Sequence, residues 1–407
     1  MQFNNKTYLI WLFMLALGLS ATAQLNDHNN SYYRGLGAMD RGEYEDAILL
    51  FTKNLEDNFT KYRNEALACR AECYLLNHET DKAIEDFRTI DLKENLVRSY
   101  GLARSYAQKG DVGTSIDFLK EHLQSSTKRP RSEIRTNPDF QLLKKNELWI
   151  QLWKTDWYSQ NELDIEEAKN LLRNGKLETT LEMLDILIND CENEGRLYAM
   201  RAEVYEQLGE LKFSESDYRK ALELEPGSTV LQIQFARCLA DLGKVERTRK
   251  LIDGIDRNEL TPEQIRMIGE IEYEIFNTDA SIASLRTYLQ YYAHDHRIWL
   301  LQANNYFENG EYGKSTEILE SLLSEAYYNE QVYLLKGNIY YRQNKYAEAL
   351  GEYAMALDLN PGDYKIYVNR GLLLQEMNEK DKACRDFTRA FRLGYRNAYK
   401  FMQECCN

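Results

Sequence analysis

Histidine and cysteine are the residues of this chain whose spacing could support metal or thiol chemistry. His294 and His296 stand two residues apart and could share a metal ion, but no third ligand is evident. Cys69 and Cys73 are four residues apart on one helix face, with no histidine four residues further on. The favoured interpretations are an exposed turn at the histidines and packed thiols at Cys69 and Cys73, so we expect no metal and no other cofactor.

Catalytic signatures are missing from the sequence. It contains no nucleophile elbow, P-loop, dinucleotide fingerprint or His-Glu-x-x-His motif, and only 5 of its 407 residues are histidine. The acidic residues are spread through helical segments, where nearby lysines and arginines can pair with them. We therefore expect no catalytic residue and no small-molecule substrate. An enzyme with a site formed only by the fold is the least favoured alternative.

The charge balance argues against nucleic acid as a partner. The formal net charge is -14, whereas binding a phosphate backbone relies on many lysine and arginine contacts. One basic run, 128–131 together with Arg135, breaks the acidic trend. We favour a solvated loop for this run over a docking patch.

The elements that carry these residues recur at a fixed interval. The stretch 329–363 predicts two short amphipathic helices, one around Gly337 and one around Ala349, and Pro361 closes the unit. Small residues recur about every 34 residues at both positions, which lets paired helices approach closely. In the second helices they are Thr180, Ser214, Thr248, Ser281, Ser315, Ala349 and Ala383. In the first helices they are Ala168, Ala202, Ala236, Gly269, Ala303, Gly337 and Gly371.

The pattern of a large residue, Gly or Ala, Tyr, a turn residue, Ala, an aromatic residue, Ala and Pro resembles the tetratricopeptide repeat, whose period is about 34 residues. The resemblance implies an all-α fold, a right-handed superhelical α-solenoid of about ten helix-turn-helix repeats. The predicted segments are a signal peptide at 1–23, repeats 1–3 at 24–124, a linker and Trp-rich helical plug at 125–160, repeats 4–10 at 161–393, and a C-terminal capping helix at 394–407.

The predicted plug begins at Asn137-Pro138-Asp139, an element that resembles one often found after such repeats. Pro138 is compatible with the first turn of a helix. Trp149, Trp153 and Trp157 follow four residues apart, so we expect one helix with a tryptophan stripe that covers the open face of the third repeat.

The amino terminus is typical of a secretory signal. Lys6 precedes an apolar run at 8–19, and Ala21-Thr22-Ala23 fits a cleavage site, so the mature chain would begin near Gln24. The run is shorter than the roughly 20 residues that a membrane span needs. We expect a protein of the exported bacterial type, in the periplasm or outside the cell; an uncleaved segment that anchors it to the membrane is the alternative.

Three cysteines near the carboxyl terminus predict a disulfide. Cys384 lies in the second helix of the last repeat, and Cys405 and Cys406 end the capping helix, which should fold back onto that repeat. We expect a Cys384–Cys405 or a Cys384–Cys406 bridge in an exported chain, with free, packed thiols as the alternative.

The resemblance also implies a binding surface, because the first helix of each tetratricopeptide repeat lines a concave groove that commonly receives a peptide or helix of a partner protein. The groove positions implied for this chain are Leu300, Asn304, Phe307, Leu334, Asn338, Tyr341, Lys365, Val368, Leu372 and Gln375. Stacked asparagines could donate to and accept from an extended peptide backbone. The sequence therefore predicts a non-enzymatic scaffold, with a structural or self-assembling component of an envelope or secretion complex as the alternative.

Overall fold

The computed structural model describes residues 31–56, 62–91, 95–126, 128–257 and 260–406, and these contain helices and turns but no strand. The predicted signal peptide at 1–23 lies outside the described residues. Within these ranges, no helix is long and apolar enough to cross a membrane.

Ten helix pairs follow one another along the chain. They are α1 (31–40) with α2 (Tyr44–Leu55), α3 (Arg63–Leu76) with α4 (Thr80–Thr89), α5 (Asn95–Gln108) with α6 (Val112–Leu123), α9 (Gln160–Arg173) with α10 (Leu177–Asp190), α11 (Gly195–Gln207) with α12 (Leu211–Leu224), α13 (Thr229–Asp241) with α14 (Val245–Asp253), α15 (Pro262–Glu274) with α16 (Thr278–Leu289), α17 (His296–Glu308) with α18 (Tyr312–Ser324), α19 (Glu330–Arg342) with α20 (Tyr346–Leu359), and α21 (Tyr364–Glu376) with α22 (Lys380–Arg392). This is the all-α architecture of helical repeats that the sequence predicts.

The chain forms two compact units, Met1–Leu231 and Gln232–Asn407, whose boundary falls within α13. This boundary was not anticipated from the sequence, which placed its interruption at 125–160. In each unit the apolar side chains form a series of clusters between neighbouring helices, such as one shared by α9, α10 and α11 and another shared by α17, α18 and α19. That is expected of repeats, because each buries its apolar face against its neighbour.

The small residues of the second helices are completely buried. Their side chains are 0% exposed in all ten pairs: Ala47, Ala83, Ser115, Thr180, Ser214, Thr248, Ser281, Ser315, Ala349 and Ala383. Serine is tolerated there because its hydroxyl can bond across the pair: Ser315 Oγ donates to the Ala303 carbonyl at 2.8 Å, and Ser281 Oγ to the Gly269 carbonyl at 2.7 Å.

The two helices of each pair are joined by a turn in which one residue has a positive φ. Six of the ten turn residues are glycine, and the others are His78, Phe276, Asn344 and Asn378. Phe276 has φ 56° and its side chain is 88% exposed, so the turn of the seventh pair is formed by a residue type that is unfavourable in this conformation.

The region between α6 and α9 differs from the single helix expected of it. It contains α7 (Arg131–Thr136), a 3₁₀ helix (Pro138–Lys145) and α8 (Glu147–Leu152). The single helix is therefore wrong: Trp153 is the C-cap of α8, and Trp157 lies beyond it and donates to the Leu152 carbonyl at 2.7 Å. Trp149, Trp153 and Trp157 nevertheless all pack in one apolar cluster. The region nevertheless covers the third pair, where Phe140 and Trp149 join the apolar cluster of α5 and α6.

The basic run is only in part the solvated loop favoured from the sequence: residues 128–130 lie outside any helix and Arg129 and Arg135 are exposed, but Lys128 is not. Lys128 is paired with Glu162 of α9 at 2.7 Å, and its side chain is only 9% exposed. The Arg129 guanidinium lies 4.7 Å from the ring centre of Tyr100. Arg135 stacks similarly on Trp153 at 5.8 Å. Lys128 and Arg129 thus join the covering region to α9 and α5, whereas Arg135 packs within the region, and net charge along the sequence does not reveal these contacts.

A last helix, α23 (Ala398–Cys405), covers the end of the second unit. Phe401 stacks on Phe387 of α22 with ring centres 5.0 Å apart. Of the two bridges left open by the sequence, the structure contains Cys384–Cys406, and Cys405 is a buried free thiol.

Candidate peptide-binding groove

The first helices of the last three pairs, α17, α19 and α21, face a cleft of about 580 Å³ in the second unit, which we call the C-terminal groove. This volume lies within the range of ligand pockets. The groove is lined by Tyr273, Leu301, Asn304, Gln331, Leu334, Leu335, Asn338, Asp363, Tyr364, Lys365, Val368, Asn369 and Tyr395.

The groove combines an apolar surface with an aromatic rim. Leu301, Leu334 and Val368 supply one aliphatic side chain from each of the three helices. Tyr364 and Tyr395 stack at one end with ring centres 5.0 Å apart. Large aromatic side chains offer apolar contact area and a hydroxyl for hydrogen bonding, which suits a peptide that is part backbone and part side chain.

Three asparagines, one from each helix, supply hydrogen-bonding groups. Asn338 Oδ1 accepts from the Tyr353 hydroxyl at 2.8 Å and from Asn369 Nδ2 at 3.1 Å. Asn304 Nδ2 donates to the Leu300 carbonyl at 2.9 Å. Among the described residues this leaves the Asn338 amide as a donor and the Asn304 oxygen as an acceptor, both on groove-lining side chains.

Lys365 contributes a positive charge at the start of α21. Its side chain is exposed and has no ion-pair partner within the described part of the chain. The neighbouring Asp363 is occupied as the helix cap, since its Oδ1 accepts from the Lys365 backbone N–H at 2.8 Å. A carboxylate of a bound peptide would therefore find an available cation at this end.

Five of the ten residues implied by the resemblance line the C-terminal groove, and five do not. Those in the groove are Asn304, Leu334, Asn338, Lys365 and Val368. Those elsewhere are Leu300, Phe307, Tyr341, Leu372 and Gln375. Leu300 is a clear correction: it is 6% exposed and packs in a cluster with Leu319 of α18, so its neighbour Leu301 faces the groove instead.

The other four misplaced residues have partners outside the groove. Phe307 packs beside Tyr312 of α18, and Leu372 packs against the apolar cluster of Ala383, Phe387 and Cys405. Gln375 Nε2 donates to Glu404 of α23 at 3.2 Å. The Tyr341 hydroxyl donates to Glu376 at 2.5 Å, and burial together with this bond raises the pKa of Tyr341 to about 12.

Some residues that line the C-terminal groove were not predicted from the sequence, although for two of them the repeat spacing gave a signal. Leu301 and Asn369 each lie one residue after the positions, 300 and 368, that the 34-residue register derives from Leu334. Tyr273 and Tyr395 had no such signal, because Tyr395 comes from the segment that leads into α23 and enters the groove only through folding.

The described residues contain no group of three or more His, Cys, Asp or Glu side chains that could hold a metal ion. His296 is engaged with Glu325, with 2.8 Å between His296 Nε2 and Glu325 Oε2.

Parts of the chain match family models of known repeats, and the fold is similar to solved structures. Family models described as "TPR repeat" and "Tetratricopeptide repeat" match residues 337–378 and residues 195–228 and 364–393, respectively. A tetratricopeptide repeat protein from Parabacteroides merdae ATCC 43184 is 20% identical, with 61% of this chain and 99% of that chain covered and a TM-score of 0.53. This likeness shows a shared fold.

Two further solved structures are more distant. The Cut9–Hcn1 hetero-tetramer of the APC/C is 11% identical, covers 94% of this chain and 90% of that chain, and has a TM-score of 0.47. Pseudomonas aeruginosa PilF is 16% identical, covers 54% of this chain and 97% of that chain, and has a TM-score of 0.43. No curated protein matches the sequence.

Proposed function

Because the chain is a tetratricopeptide-repeat protein, we propose that it is a non-enzymatic scaffold that holds an extended peptide or a helix of a partner protein in the C-terminal groove. The observation that carries this proposal is the row of asparagines on α17, α19 and α21, placed beside aliphatic side chains. Amides recognise peptide backbone, and the aliphatic side chains receive the side chains of the peptide.

We further propose that the protein works in the periplasm or the cell envelope. The predicted signal peptide at 1–23 supports this location. The Cys384–Cys406 bridge also supports it, since disulfides persist mainly in oxidising compartments. Membrane attachment would follow only if the signal segment stayed uncleaved.

Site-specific photo-crosslinking in the native cell tests the groove. A photoreactive residue at Lys365, which lines the groove, should give an adduct with a partner protein. The same residue at Gln343, exposed at the end of α19 but not part of the groove lining, is the control and should give none.

A substitution then tests whether the amides recognise the partner. Asn338→Asp keeps the acceptor that Tyr353 and Asn369 use, but it removes the free N–H donors and adds a negative charge. The adduct at Lys365 should disappear in this variant. Equal crosslinking from Lys365 and Gln343 would contradict the proposal, and adducts between two copies of the chain would favour a self-assembling component instead.

A further inference from the structure

The first unit contains a groove of its own, formed by the first helices of its pairs, and part of the chain lies in it. The relevant positions on α5 are Tyr100 and Arg104, three residues before and one residue after the small residue Ala103. In α19 the equivalent positions, relative to Gly337, are Leu334 and Asn338, which line the open C-terminal groove. The same helix face is therefore used in both units.

On α5 this face is contacted by the carboxylate of Asp139. Asp139 Oδ2 accepts from Arg104 Nε at 2.5 Å, and Oδ1 accepts from Gln108 Nε2 at 2.8 Å. Arg104 also donates to Glu72 of α3 at 2.6 Å. Burial lowers the pKa of Arg104, but these two carboxylates outweigh burial and raise it, so the guanidinium stays charged. Hydrogen bonds of this charge-assisted kind are stronger than neutral ones.

The residues beside Asp139 contact Tyr100. Asn137 Nδ2 donates to the Tyr100 hydroxyl at 3.1 Å, and the Phe140 ring meets the Tyr100 ring edge-on at 6.0 Å between centres. Phe140 is 0% exposed. Asn137 Oδ1 also accepts from the Asp139 N–H at 2.9 Å, which holds this short segment in shape.

The bound segment leaves part of the groove open. A cleft of about 400 Å³ has Ala68, Cys69 and Glu72 of α3 on one side, and Arg129 and Asn137 of the covering region on another. Asn137 of the segment 137–140 lines this cleft together with Tyr100 and Arg104, the two residues of α5 that the segment contacts, so the segment lies at one end of the cleft.

We infer that residues 137–140 are an intramolecular ligand of the groove in the first unit, and that this groove recognises an acidic residue followed by an aromatic one. An external partner for this surface carries the same chemistry and competes with the chain's own segment. The inference is independent of the function proposed for the C-terminal groove, because every residue it uses lies in the first unit.

The probe that tests this inference is a fluorescein-labelled peptide with the sequence of residues 136–142, Thr-Asn-Pro-Asp-Phe-Gln-Leu. Asp139→Asn weakens the internal segment, so the full-length variant should bind the probe about tenfold more tightly than the unsubstituted chain, measured by fluorescence anisotropy. Asp156→Asn, an exposed aspartate of the same region, is the matched control and should leave probe binding unchanged. A probe with Asn in place of its own Asp should bind the Asp139→Asn variant less tightly.

A second variant provides the test if the first one does not fold. If Asp139→Asn loses helical signal by circular dichroism, Asn137→Ala replaces it, because this change removes only the bond to Tyr100 and the local bond to the Asp139 N–H. It should also increase probe binding. A folded variant that binds the probe no better than the unsubstituted chain would overturn the inference, as would equal binding of the two probes.

Discussion

The ring of Tyr353 lies directly against the α-carbon of Gly337. A β-carbon at residue 337 would be 2.5 Å from Cε1 of that ring, closer than non-bonded carbon atoms can approach. The Tyr353 hydroxyl meanwhile donates to Asn338 in the C-terminal groove. The packing of the ninth pair therefore positions a groove residue.

Gly337→Ala should destabilise the second unit by about 1–3 kcal/mol, because the Tyr353 ring must shift within a packed interface. Gly351→Ala is the matched control, since no atom lies within 4 Å of the added carbon. That change should instead be stabilising by up to about 1 kcal/mol through helix propensity. Urea unfolding followed by circular dichroism measures both. Midpoints that move in the same direction would contradict the packing argument.

Phe276→Gly should raise stability by about 1 kcal/mol, because an L-residue with a bulky side chain is strained at φ 56°. The exposed Phe276 ring loses few contacts when it is removed. Asn344→Gly, at the equivalent turn of the ninth pair, should change stability less, since asparagine tolerates this conformation. Thermal unfolding provides the measurement, and a lower midpoint for Phe276→Gly would show that the ring has a contact partner.

Reduction of the Cys384–Cys406 bridge should destabilise the end of the second unit by about 3 kcal/mol in the chain-entropy model, because the bridge joins residues 22 apart in sequence. Dithiothreitol should therefore lower the melting temperature of the unsubstituted chain. The double variant Cys384→Ser, Cys406→Ser should melt at the lower temperature with or without reductant. A reductant effect that persists in the double variant would assign it to another pair of cysteines.

Cys69 should react slowly with iodoacetamide at pH 8. Burial, with a smaller contribution from Cys73, raises the pKa of the Cys69 thiol to about 12, so little of the reactive thiolate is present. Burial likewise raises the pKa of Cys73 to about 11. The alkylation rate at Cys69, followed by peptide mass spectrometry, should keep rising above pH 9, whereas free cysteine levels off near its ordinary pKa. A plateau at pH 9 would contradict this prediction.

The sequence anticipated features that depend on neighbours along the chain. The close approach at Gly337 follows from the small residues within one pair of helices, so the repeat register located it correctly. The structure of the covering region was harder to predict, because its helices are short. They are stabilised by cations such as Lys128, whose partner Glu162 is 34 residues away. Periodicity carries no information about such a contact.

What the sequence alone determined is the set of paired helices and their all-α stacking, because small residues at a fixed interval are needed wherever two helices touch. The tertiary structure alone decided which helix faces line a groove and which segments of the chain contact those faces. It turned Leu300 inward and Leu301 outward, brought Tyr395 to the C-terminal groove, and placed Asp139 on Arg104. These outcomes depend on how neighbouring elements pack, and a one-residue rotation of a helix, about 100°, is enough to exchange a core side chain for a groove side chain.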